Sequence, residues 1–189
     1  MNVKEIVKLS ATYLQLEDVL KLQALDGEEE SPTELTLKNY ELLLKATNLV
    51  QEEIASDYIP LKAEEIVEVT NEEIAFSSLS ERIIQVLFIK NELEQEVKYK
   101  LFPTSIKLEN GTYKIVYSYM PSTVTITDSF APFSNKITER IVAYAVAGEY
   151  ALINGLFDEA TTWKQRFEEA MKVVIGKKSP ITILSRRWL

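Results

Sequence analysis

The sequence predicts an α+β fold: a helical bundle, built from N-terminal helices and a C-terminal antiparallel helix pair, with an inserted antiparallel β region and an extended C-terminal arm. Three observations predict it. Apolar residues recur at helical spacing at both ends, over 2–59 and 135–175. Between them, residues 61–127 hold short β-branched and aromatic runs punctuated by turn residues. After Gly176 the helical pattern fails, and Pro180 precedes Ile181-Thr182-Ile183-Leu184, a run suited to an extended chain. At about 150 residues per domain, 189 residues suggest one domain over 1–175 with residues 176–189 as an appended arm.

In chain order, Ile6 and Leu9, then Leu16, Val19, Leu20 and Leu22, predict two short helices broken near Ser10 to Gln15. Asp26-Gly27-Glu28-Glu29-Glu30-Ser31-Pro32 is a loop by composition. Thr33 can cap the next helix, whose stripe is Leu35, Leu42, Ala46, Leu49 and Ile54 and whose limit is Pro60.

In the β region, Ile66–Val69 is β-rich and Asn71 is a turn before Ile74-Ala75-Phe76. The continuous apolar run from Ile83 to Ile89 predicts a strand covered on both faces, and Val97–Phe102 alternates until Pro103. Asn110-Gly111 predicts a type I′ hairpin. Its register sets Glu109 against Thr112, Leu108 against Tyr113, Lys107 against Lys114 and Ile106 against Ile115, with Tyr113, Tyr117 and Tyr119 on one face.

The helix pair is predicted from the stripe Ile137, Ile141, Tyr144, Ala145, Gly148 and Leu152, with a small-residue groove of Ala143, Ala147 and Ala151 beside it. Asn154-Gly155 stops that helix. Leu156, Ala160, Trp163, Phe167, Ala170, Met171 and Val174 form the facing stripe.

Composition closes most catalytic routes. The chain has no cysteine and no histidine, which excludes thiol nucleophiles, disulfides, Cys- or His-ligated metal and Ser–His catalysis. The acidic pairs Glu52-Glu53, Glu64-Glu65, Glu72-Glu73 and Glu168-Glu169 diverge on a helix and point to opposite faces of a strand, so they read as solvated faces. Five glycines form neither G-x-G-x-x-G nor a P-loop, and the tyrosines of the β region read as sheet packing. No enzyme, cofactor or metal site is expected.

The net charge of −8 opposes binding to nucleic acid or an anionic membrane. It is unevenly spread. Residues 176–189 carry Lys177, Lys178, Arg186 and Arg187 and no acid, leaving 17 basic and 29 acidic side chains, net −12, in the remainder. Apolar Ile181, Ile183, Leu184 and Trp188 lie among these cations, a combination typical of interface anchors. Ile181 and Ile183 suit strand addition to a partner's sheet, with Arg186, Arg187 and Trp188 as further contacts. The lack of an apolar run near 18 residues and the amphipathic N-terminus imply no membrane span, and a cytoplasmic protein or one that joins an assembly made there.

Several stretches together carry a resemblance: Asn48–Leu61 closing a helix, Ile137–Tyr150 opening the helix pair, Phe157-Asp158-Glu159-Ala160 and Trp163-Lys164-Gln165-Arg166-Phe167 continuing it, and the Arg-Arg-Trp-Leu end. From about residue 34 onward, the ensemble resembles the head–tail connector (adaptor) proteins of tailed bacteriophages, nearest to the tail-tubular or head-completion adaptors of short-tailed phages. The resemblance implies a structural virion protein that forms a ring, commonly of twelve copies, between the portal and the tail or further connector proteins. It implies that DNA passes through the lumen without sequence-specific binding and that the arm, through Ile181, Ile183, Arg186, Arg187 and Trp188, reaches the portal. The β region of 61–127 is larger than a minimal adaptor needs. The alternative is a cytoplasmic or phage-encoded adaptor that binds one partner without forming a ring.

Overall fold

The structure, a computed structural model, describes residues 1–28 and 31–176. It is an α+β fold of five α-helices and two small antiparallel sheets in those residues. The helices are α1 (Val3–Tyr13), α2 (Glu17–Leu20), α3 (Glu34–Glu53), α4 (Glu139–Ile153) and α5 (Phe157–Ile175). The strands are β1 (Leu61–Val69), β2 (Glu73–Ala75), β3 (Arg82–Asn91), β4 (Lys100–Leu101), β5 (Ser105–Lys107) and β6 (Gly111–Met120).

The first helical break falls later than the spacing predicts. Helix α1 is capped by the Asn2 side chain, which accepts from Lys4 N, and runs through Ser10 to Tyr13. The chain then turns at Gln15, whose φ is +56°. Ser10 is tolerated inside the helix because its Oγ donates to the Ile6 carbonyl at 2.8 Å, with the Ala143 carbonyl of α4 at 3.4 Å.

Thr33 caps α3 as expected, its Oγ1 accepting from Thr36 N at 3.2 Å. The buried face of α3 differs from the predicted stripe. Leu35 is 65% exposed and Leu49 is also exposed, while Thr36, Leu43, Ala46, Thr47, Val50 and Gln51 are buried. Thr36 and Thr47 are satisfied locally, by Thr33 and the Leu43 carbonyl, whereas Gln51 lies inside because α3 clamps the irregular segment 121–138. Asn48 accepts from Val124 N at 2.7 Å and donates to Val124 O at 3.0 Å. One turn later, Gln51 donates to Ser122 O at 2.9 Å and accepts from Ala131 N at 2.8 Å. The helix then widens into a π turn, Ile54–Tyr58, in which Ile59 N donates to Ile54 O, and the chain enters β1 beyond Pro60.

Helix α4 touches α1, α3 and α5. That explains its composition: Val142, Ala143, Ala145, Val146, Ala147, Gly148, Tyr150 and Ala151 are all buried, so apolar or small residues occupy more than one stripe. The predicted groove residues Ala143, Ala147 and Ala151 are inside, whereas Leu152 and Leu156 are exposed at the α4–α5 corner. On α5, Ala160, Phe167, Met171 and Val174 face the core.

The predicted Asn110-Gly111 hairpin does not form. A type I′ turn needs positive φ at both central residues, and the positive-φ residues other than glycine are Gln15, Asp26, Glu72 and Glu94 among those described. Strand β6 is the centre of one sheet, ordered β1-β6-β3, and β5 is the centre of the other, ordered β2-β5-β4. Ile106 therefore pairs with Ile74 and Leu101, and Lys107 with Glu73 and Lys100. Ile115 pairs with Glu65 and Ile89, Tyr113 with Val67 and Asn91, Lys114 with Ile66 and Lys90, and Thr112 with Glu68. The Asn110 side chain instead accepts from Glu72 N at 2.9 Å, while Leu108 N donates to Glu72 O, as the chain crosses from one sheet to the other.

The run Ile83–Ile89 is not covered on both faces. It belongs to edge strand β3, in which Val86 and Ile89 are buried, Ile84 is exposed, and two register shifts break the alternation. Of Val97–Phe102, Lys100 and Leu101 alone are strand, and Leu101 and Phe102 are exposed.

Two hydrophobic clusters result. The helices, Leu61, Phe130, Ala131, Phe133 and Ile137 form one. Val69, Ile74, Leu79, Val86, Ile89, Ile106, Leu108, Tyr113, Ile115 and Tyr117 form the other. Tyr119 is partly buried against both. The tyrosines of β6 are thus sheet core, as their spacing suggests. No helix among the described residues is long and apolar enough to cross a membrane.

Candidate functional site

The five residues assigned to docking from sequence, Ile181, Ile183, Arg186, Arg187 and Trp188, lie outside the described residues. What the described residues offer is a pair of unlike surfaces on opposite flanks of α5.

The first is a crevice of about 200 Å3 between α3, α4 and α5. Small residues make it possible: Ala145 and Gly148 on α4 face Ala160 on α5, and an ideal Cβ at Gly148 would lie 3.5 Å from Lys164 N and Trp163 Cβ. Phe167 forms its buried end, while Leu152 and Phe157, the latter 67% exposed, form its apolar lip. Glu53, Glu149 and Lys164 also line it. Next along α5 is a second depression of Asp57, Tyr58, Glu168, Lys172 and Ile175, joined to the first where the Tyr58 ring meets Phe167 edge-on at 5.3 Å.

The charge of this surface is acidic. Burial pushes the half-buried Glu53 carboxyl above its ordinary value; Lys164 pulls it down, and Glu149, Asp57 and Glu168 push it up. Burial likewise raises the Tyr58 hydroxyl, aided by Glu53, Glu168 and Asp57. Four carboxylates thus face two ammonium groups around an apolar floor. The Glu53 carboxylate makes no hydrogen bond or ion pair within 4.0 Å among the described residues.

The second surface lies where α1, α4 and α5 meet. Tyr13, Tyr144 and Trp163 stack with centroids 5.2–5.8 Å apart and planes within 26°. Arg140 sits over Tyr144 at 5.6 Å, and its Nε donates to the Tyr144 hydroxyl. Arg166 sits over Trp163 at 4.9 Å. These rings are half-buried and both arginines exposed, an arrangement that orients the guanidiniums over the rings at the surface. Asp158 and Glu159 lie at its rim.

Sequence reasoning missed the crevice. It treated Glu53 and Glu168 as members of solvated pairs, whereas Glu168 is half-buried and its neighbour Glu169 exposed. The available signal was Glu53/Asp57 and Lys164/Glu168, each pair one turn apart on its helix. Tyr13 was missed because it fell in the expected break. The divergence of Glu64 and Glu65 was foreseen: Glu64 pairs with Lys114 at 2.7 Å, while Glu65 accepts from the Tyr117 hydroxyl and from Ser80 N. No protein-family model matches this chain, and no curated protein matches it significantly.

Proposed function

We propose that this chain is a structural subunit of a phage head–tail connector: a ring, of about twelve copies on the resemblance stated above, that joins the portal to the tail. The observation that carries the reading is the pair of unlike surfaces flanking α5. A two-fold dimer uses one patch twice, whereas a ring needs two different patches that meet head to tail. The acidic, apolar-lipped crevice and the arginine–aromatic cluster are such a pair, and Trp, Tyr and Arg are the residue types that dominate interface energies. The helical bundle supplies the rigid wedge, and the basic arm 176–189 supplies the portal contact through Ile181, Ile183, Arg186, Arg187 and Trp188. The protein acts without a cofactor and catalyses no reaction. DNA crosses the lumen past an acidic body that does not hold it.

The test is the copy number of this chain relative to the portal in purified virions, by quantitative mass spectrometry. Near-equal numbers are expected; absence from the particle overturns the reading. Deleting 177–189 is expected to leave the fold intact and to abolish capture of the purified portal.

A further inference from the structure

The crevice and the arm have matching chemistry. Residues 177–189 hold four cationic side chains, no acidic one and the apolar side chains Ile181, Ile183, Leu184, Trp188 and Leu189. The crevice surface holds Glu53, Asp57, Glu149 and Glu168 beside the exposed apolar residues Leu152 and Phe157. The described chain also ends beside this surface. Ile175 lines the depression with Asp57 and Glu168, and Gly176 caps α5 in the left-handed conformation, φ +61°. That conformation ends the helix there.

Reach is sufficient. Returning from Ile175 to Phe157 retraces 18 residues of helix, about 27 Å at 1.5 Å per residue. Residues 177–189 span up to about 43 Å when extended.

We propose that residues 177–189 dock in the crevice between α3 and α5 of their own chain. The apolar residues of the arm cover Leu152, Phe157 and the crevice floor, and its cations neutralise the carboxylates that line it. The docking stands independently of the ring. The crevice is also one of the two ring patches proposed above, so the arm and a neighbouring subunit cannot occupy it together.

The absence of cysteine makes the test clean. Thr161→Cys in the crevice with Ser185→Cys in the arm is compared, in the full chain, with Thr12→Cys and Ser185→Cys, where Thr12 is exposed on α1. Under mild oxidation at low protein concentration, the crevice pair is expected to form an intrachain disulfide at least about tenfold faster, because bridging requires Cα atoms within about 7 Å. Adding Glu53→Lys and Glu168→Lys is expected to remove that advantage. Equal rates for the two pairs overturn the proposal, as does an advantage unchanged by charge reversal in a variant that still folds. Crevice-pair disulfides formed mainly between chains overturn it in favour of a second copy's arm. Should the charge-reversed chain not fold, the comparison of the two pairs in the native background decides. The virion copy number is a separate measurement, so this proposal and the ring reading fail independently.

Discussion

At the residue scale, two buried polar side chains do what apolar ones cannot. Gln51, 1% exposed, is the sole side-chain bridge from α3 to both Ser122 and Ala131 among the described residues. Gln51→Ala leaves the buried Ala131 N–H without a partner, at about 1–3 kcal/mol, and removes the part-buried bond to the Ser122 carbonyl, at about 1 kcal/mol. A loss of about 2–4 kcal/mol in urea denaturation is expected, against a near-neutral result for exposed Gln165→Ala. Tyr117 is fully buried, and its hydroxyl donates to Glu65. Burial, reinforced by that hydrogen bond, pushes the Tyr117 hydroxyl up from 10.0 to about 12. Burial alone would raise Glu65, but bonds from Tyr117 and Ser80 outweigh it and hold the carboxyl below its ordinary value. The signs follow by linkage. The Tyr117 contribution is complete below pH 10, its unfolded value, and is lost as pH rises through about 12. The Glu65 contribution is present above its unfolded value of 4.5 and is lost as pH falls through its lower folded one. Tyr117→Phe is expected to be less stable than the parent at pH 7 and to decline less steeply between pH 10 and 12, where the other raised tyrosines still contribute, read from urea midpoints across that range.

At the element scale, Gly148 lies where α4 packs against α5. A methyl group there meets Lys164 N and Trp163 Cβ at 3.5 Å and Ala160 O at 3.6 Å, ordinary van der Waals distances. Gly148→Ala should therefore keep the packing and gain helix propensity, up to about 1 kcal/mol. Gly148→Leu should wedge α4 from α5 and lose about 1–3 kcal/mol. Thermal melts of the two variants should shift in opposite directions. This glycine was legible as part of a small-residue stripe because the helical period identifies which side faces a neighbour. The same kind of reasoning failed at Ile106–Ile115, and the failure is instructive. A period of two says which face a strand buries but not which strand lies beside it. Ile106, Leu108, Tyr113 and Ile115 are buried in one cluster, as the hairpin required, although β5 and β6 belong to different sheets. The Asn110 side chain accepts from Glu72 N instead, a contact 38 residues away in sequence that local pattern does not encode. The α3 stripe failed for a related reason. Gln51 and Asn48 face inward only because the segment 121–138 comes back to meet them, and no local pattern announces that return. The crevice was legible only in part: the pairs Glu53/Asp57 and Lys164/Glu168 mark charged faces, but α3, α4 and α5 must be in place before Glu53 and Glu149 face one surface.

At the scale of the whole molecule, the β region holds its own cluster, which meets the helical one through Tyr119 and adjoins it where β1 begins at Leu61. A region with a separate core can lose stability without the bundle doing so, provided the shared contacts are few. Ile106 tests this. It is fully buried, lies on the central strand of the smaller sheet, and belongs to the β cluster alone. Ile106→Ala removes three carbons from a packed site, at about 2–5 kcal/mol. Hydrogen exchange should show amides of β2, β5 and β6 opening faster by a factor of about 30 or more, while the amides of α4, held by α1, α3 and α5, keep their protection. Uniform loss across α4 and β6 would mean that Tyr119 and the π turn tie the two clusters into one cooperative unit. A β region that opens alone can change its conformation while the bundle and the surfaces flanking α5 stay fixed.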